Sequence, residues 1–233
     1  MDPMYSTQWF ETFAATVPAS INEKDISGIA ATLPLDQYPR ILDVGCGIGR
    51  IAGPLSARGY AVTGLDISID ALLIARQRAA GPLYVALDQQ HIGCMRWVFD
   101  GALFLWNSLG FVGSSTDIET LAGVAAVIRP GGKVVLDLYH PDWLQRNTQS
   151  RQPDGRGPVS ARRWLRDGRC FHEIRYADGR VDDIQFNIYK PDEIRDLSRR
   201  AGLEPGGDMI WWSSDSRPSP DCPRYQLVCT RPA

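Results

Sequence analysis

The chain has 233 residues, a formal net charge of −2, 44% hydrophobic residues and 22% charged residues. A chain of this length removes roughly 70% of its unfolded surface from water, so we expect a single domain over residues 1–233, with two domains as the alternative. The near-neutral charge disfavours nucleic acid as a partner, and no apolar stretch of the sequence is long enough to cross a membrane.

The five cysteines are spaced irregularly and form no Cys-x-x-Cys pair. The first residues also lack the basic start and apolar run of a signal peptide. These observations favour a reducing, cytoplasmic location, and they indicate no structural metal.

The N-terminal residues 1–34 are predicted to form two helices, at residues 4–17 and 21–33. The first helix is aromatic, and its large side chains suit either a lid over a ligand or ordinary packing. The lid residues that we single out are Tyr5, Trp9 and Phe13, with Phe10 beside them.

Short apolar runs alternate with helical patterns over residues 40–140. The predicted strands are Arg40–Val44, Tyr60–Leu65, Leu83–Leu87, Val98–Trp106 and Lys133–Tyr139, and the helices between them are Arg50–Arg58, Ile69–Ala80 and Thr116–Ile128. This alternation predicts a doubly wound α/β fold, with a mostly parallel sheet covered by helices on both faces.

The pattern changes after the fifth predicted strand. Residues 141–160 are predicted as a long loop, and residues 161–189 as antiparallel strands joined by tight turns. Together they form an antiparallel insertion at residues 142–190. A helix at Pro191–Ala201 and strands at Met209–Trp212 and Tyr225–Thr230 complete the chain, with Trp211 and Trp212 expected on opposite faces of the sheet.

The most specific motif is ILDVGCGIGR at residues 41–50, where a strand enters a glycine-rich turn that opens a helix. Glycines allow a tight bend and a close approach of a ligand to the backbone. The dinucleotide-binding pattern needs a glycine where Arg50 stands. Asp43 would repel a pyrophosphate and attract the amino group of an amino-acid-like ligand.

Two more acidic residues follow at similar intervals, and each is predicted at the end of a strand. Asp66 lies 23 residues after Asp43, and Asp88 lies 22 residues after Asp66. The carboxyl ends of the strands form the edge where open α/β sheets bind ligands. An acid at the second strand end suits ribose hydroxyls, and one at the third suits an adenine amino group.

The segments ILDVGCGIGR, GYAVTGLDIS, LYVALDQQ, GALFLWNSLGFV and IRPGGKVVLDLYHP resemble the class I S-adenosylmethionine-dependent methyltransferases, in that family's order and spacing. The resemblance covers residues 40–141 and implies a seven-stranded Rossmann-like fold, S-adenosyl-L-methionine as cofactor and S-adenosyl-L-homocysteine as product. The stretch at residues 88–100 departs from the family by being less acidic.

The resemblance also implies a role for each motif residue. The methionine part of the cofactor would contact Asp43, Gly45, the Cys46 backbone, Gly47 and Gly49. Its adenosine would contact Asp66 at the ribose, Ile67 at the adenine face, and Asp88 with the Gln89 backbone at the adenine amino group. The backbone of Trp106 and Asn107 would close the site beneath the methyl group.

Candidate catalytic residues lie at the ends of the fourth and fifth strands. His140 is a candidate base because histidine titrates near neutral pH, with a loop role as the alternative. Tyr139 is a second candidate base or a wall of the pocket. Asn107 and Ser108 are positioned to orient an acceptor or to stabilise a turn.

Residues 146–180 contain nine arginines and four acidic residues. This segment is predicted to be a solvated face, a cover that attracts an anionic substrate, or the contact of a homodimer. The sequence as a whole predicts methyl transfer to an oxygen or nitrogen of a small molecule. The alternatives are an S-adenosylmethionine-binding protein that transfers no methyl group, an RNA or protein methyltransferase, and an NAD-binding oxidoreductase.

Overall fold

The computed structural model describes residues 6–96, 98–111, 114–148, 160–215 and 217–233, without the side chains of 11, 13–16, 114 and 115. The strands are β1 Arg40–Val44, β2 Ala61–Asp66, β3 Leu83–Ala86, β4 Phe99–Phe104, β5 Ile128–Tyr139, β6 Ser160–Arg166, β7 Arg169–Arg175, β8 Val181–Asn187, β9 Glu204–Met209 and β10 Arg224–Thr230. The helices are α1 Thr7–Thr16, α2 Ala19–Thr32, α3 Ala52–Ala57, α4 Ile69–Arg78, α5 Ser114–Val127, α6 Pro141–Arg146 and α7 Pro191–Arg200, with a 3₁₀ helix at Gln89–Cys94.

Seven strands form one sheet in the order β3-β2-β1-β4-β5-β10-β9. Strands β1 to β5 pair in parallel, whereas β10 is antiparallel to both β5 and β9. The central strand β4 is buried along its whole length, as expected for a parallel strand covered on both faces. The predicted doubly wound, mostly parallel seven-stranded fold is therefore confirmed.

Two apolar clusters cover the two faces of this sheet. One joins the sheet to α5 and α7 through residues such as Leu121 and Ile194, and the other joins it to α2 and α3 through Ile29 and Leu55. Consecutive residues of β1 alternate between the clusters, since Leu42 belongs to the first and Ile41 to the second. Burial on both faces explains why the central strands lack an alternation of apolar and polar residues.

The insertion after β5 forms a separate antiparallel sheet in the order β6-β7-β8, so this part of the predicted fold is also confirmed. Its inner face includes Cys170, Ile184 and Phe186, and it packs against the partly buried Trp9 and Tyr139. Because Tyr139 is the last residue of β5, the insertion lies over the carboxyl end of that strand.

Three predictions about the second half of the chain are wrong. Residues 141–146 form α6 rather than a loop, because a proline suits the first turn of a helix. The strand predicted at Met209–Trp212 is Glu204–Met209, an edge strand in which proline is tolerated. Trp211 and Trp212 have φ of 51° and 66° and belong to the turn after β9, so they do not alternate across the sheet.

Candidate functional site

The glycine turn follows β1, and neighbouring side chains lie close to its glycines. Gly45, Gly47 and Gly49 all have positive φ, between 51° and 74°. A Cβ on Gly47 would lie 2.8 Å from Phe10, and a Cβ on Gly45 would lie 2.8 Å from Ser108. The turn therefore presents bare backbone that side chains at these positions would cover.

Asp66 connects the tip of β2 to the glycine turn. Its Oδ2 accepts a hydrogen bond of 2.8 Å from the Gly47 backbone N–H, and its Oδ1 accepts one of 2.9 Å from Ser68. Burial raises the pKa of Asp66, and the hydrogen bonds from Ser68 and Gly47 oppose this effect. The carboxylate predicted to bind ribose and the predicted glycine turn are thus in direct contact.

Asp43 and Cys46 are buried beside this contact, at 3% and 7% exposure. Burial raises the pKa of Asp43 to about 7, while Arg50 lowers it and Asp66 raises it further. Burial and the nearby carboxylates hold the pKa of the Cys46 thiol well above its ordinary value. This thiol is therefore a poor nucleophile, which is compatible with a role through its backbone.

Asp88 lies beyond the third strand rather than at its end, because β3 stops at Ala86. It caps the 3₁₀ helix that contains Gln89, where its Oδ1 accepts a 3.0 Å hydrogen bond from the Gln90 backbone. Leu87 N–H donates to the carbonyl of Asp66 at 3.0 Å. This bond keeps the segment beside the tip of β2, with Ile67 partly buried next to Asp66.

Trp106 and Asn107 form a left-handed turn after β4, with φ of 52° and 62°. The Trp106 N–H donates to Asp137 Oδ2 at 2.8 Å, and the Asn107 N–H donates to the Asp137 carbonyl at 2.8 Å. The Asn107 side chain accepts from Tyr139 N–H at 3.2 Å and donates to the Leu109 carbonyl at 3.1 Å. Its amide therefore stabilises this turn.

Ser108, the next residue, lies against Gly45 of the glycine turn. Its hydroxyl is buried and has no hydrogen-bond partner in the described part of the chain. A buried hydroxyl without a partner is uncommon in a folded protein. The sequence alone gave Ser108 no more weight than its neighbour, because its loop position does not reveal this burial.

His140 precedes α6 and is 5% exposed. Its ring centroid lies 6.1 Å from that of Tyr225, which packs on the α5 and α7 side of the sheet. Burial lowers the pKa of His140, Asp142 opposes this effect and Arg146 adds to it, so the imidazole is mostly neutral at pH 7. Its Nδ1 has no hydrogen-bond partner among the residues described.

Aromatic side chains pack between the sheet edge and the insertion. The ring of Tyr139 stacks on Phe186 at a centroid distance of 6.1 Å, and Phe111 lies 5.8 Å from the same ring. Trp9 and Trp143 are partly buried against this cluster. The arrangement provides apolar, planar surfaces beside the turn after β4.

Helix α1 lies between the glycine turn and the insertion. Phe10 packs on Ile48 and Ala71, and the Ser6 hydroxyl that caps the helix also donates to Asp182 at 2.8 Å. Two residues of the predicted lid cannot be placed, because Tyr5 and the Phe13 side chain lie outside the described residues.

Within the described ranges, no group of three or more His, Cys, Asp or Glu side chains has an arrangement that could hold a metal ion. In the same residues, no helix combines the length and the apolar character needed to cross a membrane. The described site therefore consists of backbone amides, carboxylates, one buried hydroxyl and aromatic walls.

The strand order and the glycine turn define a Rossmann-like α/β fold, a class in which ligands bind at the carboxyl edge of the sheet. A family profile described as "Methyltransferase domain" matches residues 41–132. Residues 41–132 therefore form a methyltransferase domain, and the chain is similar to S-adenosylmethionine-dependent methyltransferases.

Two curated relatives illustrate what the chain is similar to. It is 34% identical over 116 residues to a malonyl-[acyl-carrier protein] O-methyltransferase of Salmonella typhimurium, covering 50% of this chain and 45% of the relative. It is 36% identical over 113 residues to an S-adenosyl-L-methionine-dependent Diels-Alderase of Talaromyces variabilis, covering 45% and 37%. The chain spans about half the length of the first curated relatives that it matches.

A solved structure extends the likeness in fold to almost the whole chain. The S-adenosylmethionine-bound amino pentose methyltransferase CalS10 of Micromonospora echinaspora is 21% identical, covers 99% of both chains and superimposes with a TM-score of 0.71. At this identity the comparison supports the fold, including the insertion after β5, and leaves the substrate open.

Proposed function

We propose that this chain transfers the methyl group of S-adenosyl-L-methionine to an oxygen or nitrogen of a small molecule. The observation that carries the proposal is the 2.8 Å hydrogen bond between Asp66 and the Gly47 N–H. It joins the carboxylate suited to ribose hydroxyls to the bare backbone suited to an amino acid. S-adenosyl-L-methionine carries both a ribose with its hydroxyls and an amino-acid group.

The residues around the glycine turn fit this cofactor. Gly45, Gly47 and Gly49, with their left-handed backbone, would let the main chain approach its methionine part closely, and the buried Asp43 would accept hydrogen bonds from its ammonium group. The unpartnered hydroxyl of Ser108 adds a polar group beside Gly45. Cys46 would contribute its backbone only.

The adenosine would lie over the tips of β2 and β3. Asp66 would hold the ribose, Ile67 would pack on the adenine face, and Asp88 with the Gln89 backbone would meet the adenine amino group. When bound, S-adenosylmethionine supplies an electrophilic methyl group, and its sulfur keeps the bonding electron pair as the carbon–sulfur bond breaks.

The turn after β4 and the aromatic walls would orient the acceptor. Trp106 and Asn107, which form the left-handed turn, would lie beneath the methyl group, and Tyr139, which packs against the insertion, would provide a wall of the pocket. For a methyl transfer, the protein must mainly align the reacting atoms and exclude water. A carboxylate acceptor needs no base, whereas a hydroxyl acceptor must lose a proton.

His140 is the base that we propose for a hydroxyl acceptor, because its imidazole is mostly neutral at pH 7 and its Nδ1 is unpartnered in the described structure. If it takes the proton, the rate will fall at acidic pH, below the ordinary imidazole value of about 6.5, because burial lowers the pKa of His140. His140→Gln should remove that acidic limb. An unchanged pH profile in the variant would exclude this role.

The N-terminal segment at residues 1–34 is proposed as a lid, because Phe10 covers Gly47 and Ser6 is bonded to the insertion. The insertion at residues 142–190 is proposed as a cover over the acceptor. A homodimer contact through its outer face, where Trp164 stacks on Phe171 at 5.5 Å, is the second use that we propose. A monomer in gel filtration at working concentration would exclude the dimer.

All five cysteines are free thiols, which supports a reducing cytoplasmic location.

The relative described as a Diels-Alderase favours a second candidate function. In that case the chain would bind S-adenosylmethionine and hold a substrate for another reaction without transferring the methyl group. The motif residues of the cofactor site would be the same in both cases, so the sequence does not separate them.

Release of S-adenosylhomocysteine tests the proposed function. Purified protein with S-adenosylmethionine is screened against amino sugars, phenols and carboxylic acids, and product is detected by mass spectrometry. We expect acceptor-dependent release with one of these classes, and no release from Asp66→Ala. Binding of S-adenosylmethionine together with turnover of a substrate that gains no methyl group would favour the second function instead.

A further inference from the structure

A buried carboxylate on α2 joins four separate segments at the ligand edge of the sheet. Asp25 is 1% exposed. Its Oδ2 accepts hydrogen bonds from Trp106 Nε1 at 3.0 Å and from Arg50 at 2.9 Å. Its Oδ1 accepts one from Trp212 Nε1 at 3.0 Å, and Arg224 approaches it to 3.8 Å.

The Trp106 indole is the centre of this arrangement. The guanidinium groups of Arg50 and Arg224 both lie 4.5 Å from its ring centroid. Arg224 Nη1 is also 2.9 Å from Asp137 Oδ2, although its N–H groups are not aligned for a hydrogen bond. Two arginines and two aspartates thus surround one indole with balanced charge. We call Asp25, Arg50, Trp106, Asp137 and Arg224 the tryptophan clamp.

The clamp holds a backbone that would not adopt its conformation unaided. The left-handed conformation is unfavourable for a residue other than glycine, and Trp106 and Asn107 are two such residues in succession. Strained backbone of this kind persists only where its surroundings fix it. The two residues turn the chain so that Ser108 comes against Gly45. The position of Ser108 at the glycine turn therefore depends on the clamp.

We propose that Asp25 is a positioning residue, which holds Trp106 and Arg50 so that the turn after β4 faces the glycine turn at the spacing needed beneath the transferred methyl group. This proposal rests on the proposed function of that site. Asp25 acts through the residues that it binds, because its carboxylate oxygens are already occupied by the two indole N–H groups and the Arg50 guanidinium.

A matched control exists at the opposite edge of the sheet. Asp100 is 3% exposed and pairs with two arginines, Arg40 at 2.9 Å and Arg129 at 2.7 Å. It lies near the start of β4, next to the first residue of β1, whereas the glycine turn follows the last residue of β1. Asp100→Asn therefore removes the same charge from a similar buried pairing, but far along the strands from the proposed site.

The experiment compares Asp25→Asn with Asp100→Asn in the full chain. Calorimetry measures the affinity for S-adenosylhomocysteine and for sinefungin, an analogue with an amino-bearing carbon in place of the methylated sulfur. Near-UV circular dichroism reports the environment of the tryptophans. Because the turn after β4 would lose a bond that holds it, we expect Asp25→Asn to weaken sinefungin binding by roughly 10- to 100-fold, at most the loss of rate that a misplacement of about 1 Å causes in catalysis, and to change the tryptophan spectrum.

Asp100→Asn should leave both affinities within about twofold of the wild type, even if its melting temperature falls as far as that of Asp25→Asn. The proposal is overturned if Asp25→Asn binds sinefungin as the wild type does, or if Asp100→Asn weakens it equally. Should Asp25→Asn not fold, Trp106→Phe replaces it, since this change removes the N–H that Asp25 accepts and keeps an aromatic ring. Wild-type affinity in a folded Trp106→Phe would likewise overturn the proposal.

Failure of the proposed function gives a different result. In that case the wild-type protein itself would bind neither S-adenosylhomocysteine nor sinefungin, or would bind both and release no S-adenosylhomocysteine with any acceptor. If the wild type binds both, releases S-adenosylhomocysteine with an acceptor and the clamp variants are unaffected, the proposed function stands and only the role of Asp25 is excluded.

Discussion

A side chain in the glycine turn has two costs: an unfavourable backbone conformation and a steric contact. Replacing Gly47 by alanine, with a suitable control, separates them. Gly47 has φ of 51°, and an added Cβ would lie 2.8 Å from the Phe10 ring. The left-handed backbone alone costs roughly 1–2 kcal/mol in a residue other than glycine. For a chain of this size that corresponds to a fall in melting temperature of about 2–8 °C.

Gly202→Ala provides the control for this backbone cost. Gly202 has φ of 82° and follows α7, and an added Cβ would have no atom within 4 Å. Both variants should therefore lose a similar part of their stability through the backbone. Only Gly47→Ala places a methyl group where Phe10 must move and where we propose that the cofactor binds.

The two variants are compared by thermal unfolding and by calorimetric titration with S-adenosylhomocysteine. We expect Gly47→Ala to lose at least about tenfold in affinity, equivalent to about 1.4 kcal/mol, and Gly202→Ala to bind as the wild type does. Wild-type affinity in a folded Gly47→Ala protein would refute the idea that this backbone lines the cofactor.

Asp43, Asp182 and Asp100 each allow a further test. Burial raises the pKa of Asp43 to about 7, and a ligand ammonium needs its ionised form, so affinity for S-adenosylhomocysteine should rise with pH up to about 7 and then level off; a flat profile in calorimetry would contradict this. Asp182→Asn weakens the bond to Ser6, so limited proteolysis should cleave the N-terminal segment several-fold faster, and an unchanged rate would count against the lid. Burial raises the pKa of Asp100, but hydrogen bonds from two arginines outweigh this and lower it to about 2. Its folded pKa is thus below its unfolded value, and its contribution, on the order of 2 kcal/mol, is present above about pH 4 and lost as pH falls towards 2. Denaturant unfolding of Asp100→Asn should lack that part of the acid dependence.

The core of the fold could be predicted from the sequence because its signals are local. Continuous apolar runs mark β1, β2 and β4, and the glycines after Val44 mark the turn. Asp66 was placed correctly at the end of β2 because the strand pattern fixes its register. Asp88, predicted at the end of the third strand, lies two residues beyond the end of β3 and caps a 3₁₀ helix. Such a helix has no comparable signal in the sequence.

The parts that could not be predicted depend on contacts between distant residues. The sequence Pro205-Gly206-Gly207 is typical of a loop, yet it forms an edge strand because β10 lies beside it. The bond between Asp25 and Trp212 joins positions 187 residues apart. A single acidic residue in a helix gives no indication that it will be buried against two indoles, so the tryptophan clamp has no local signal.

The most direct test of the account is a calorimetric titration of the wild-type protein and Asp66→Ala with S-adenosylhomocysteine, with NAD as the competing ligand. We expect saturable binding of S-adenosylhomocysteine to the wild type and a loss of about tenfold or more in Asp66→Ala, because hydrogen bonds to a charged group contribute about 1.5–3 kcal/mol. Absence of binding to the wild type, tighter binding of NAD, or equal affinity in both proteins would contradict it.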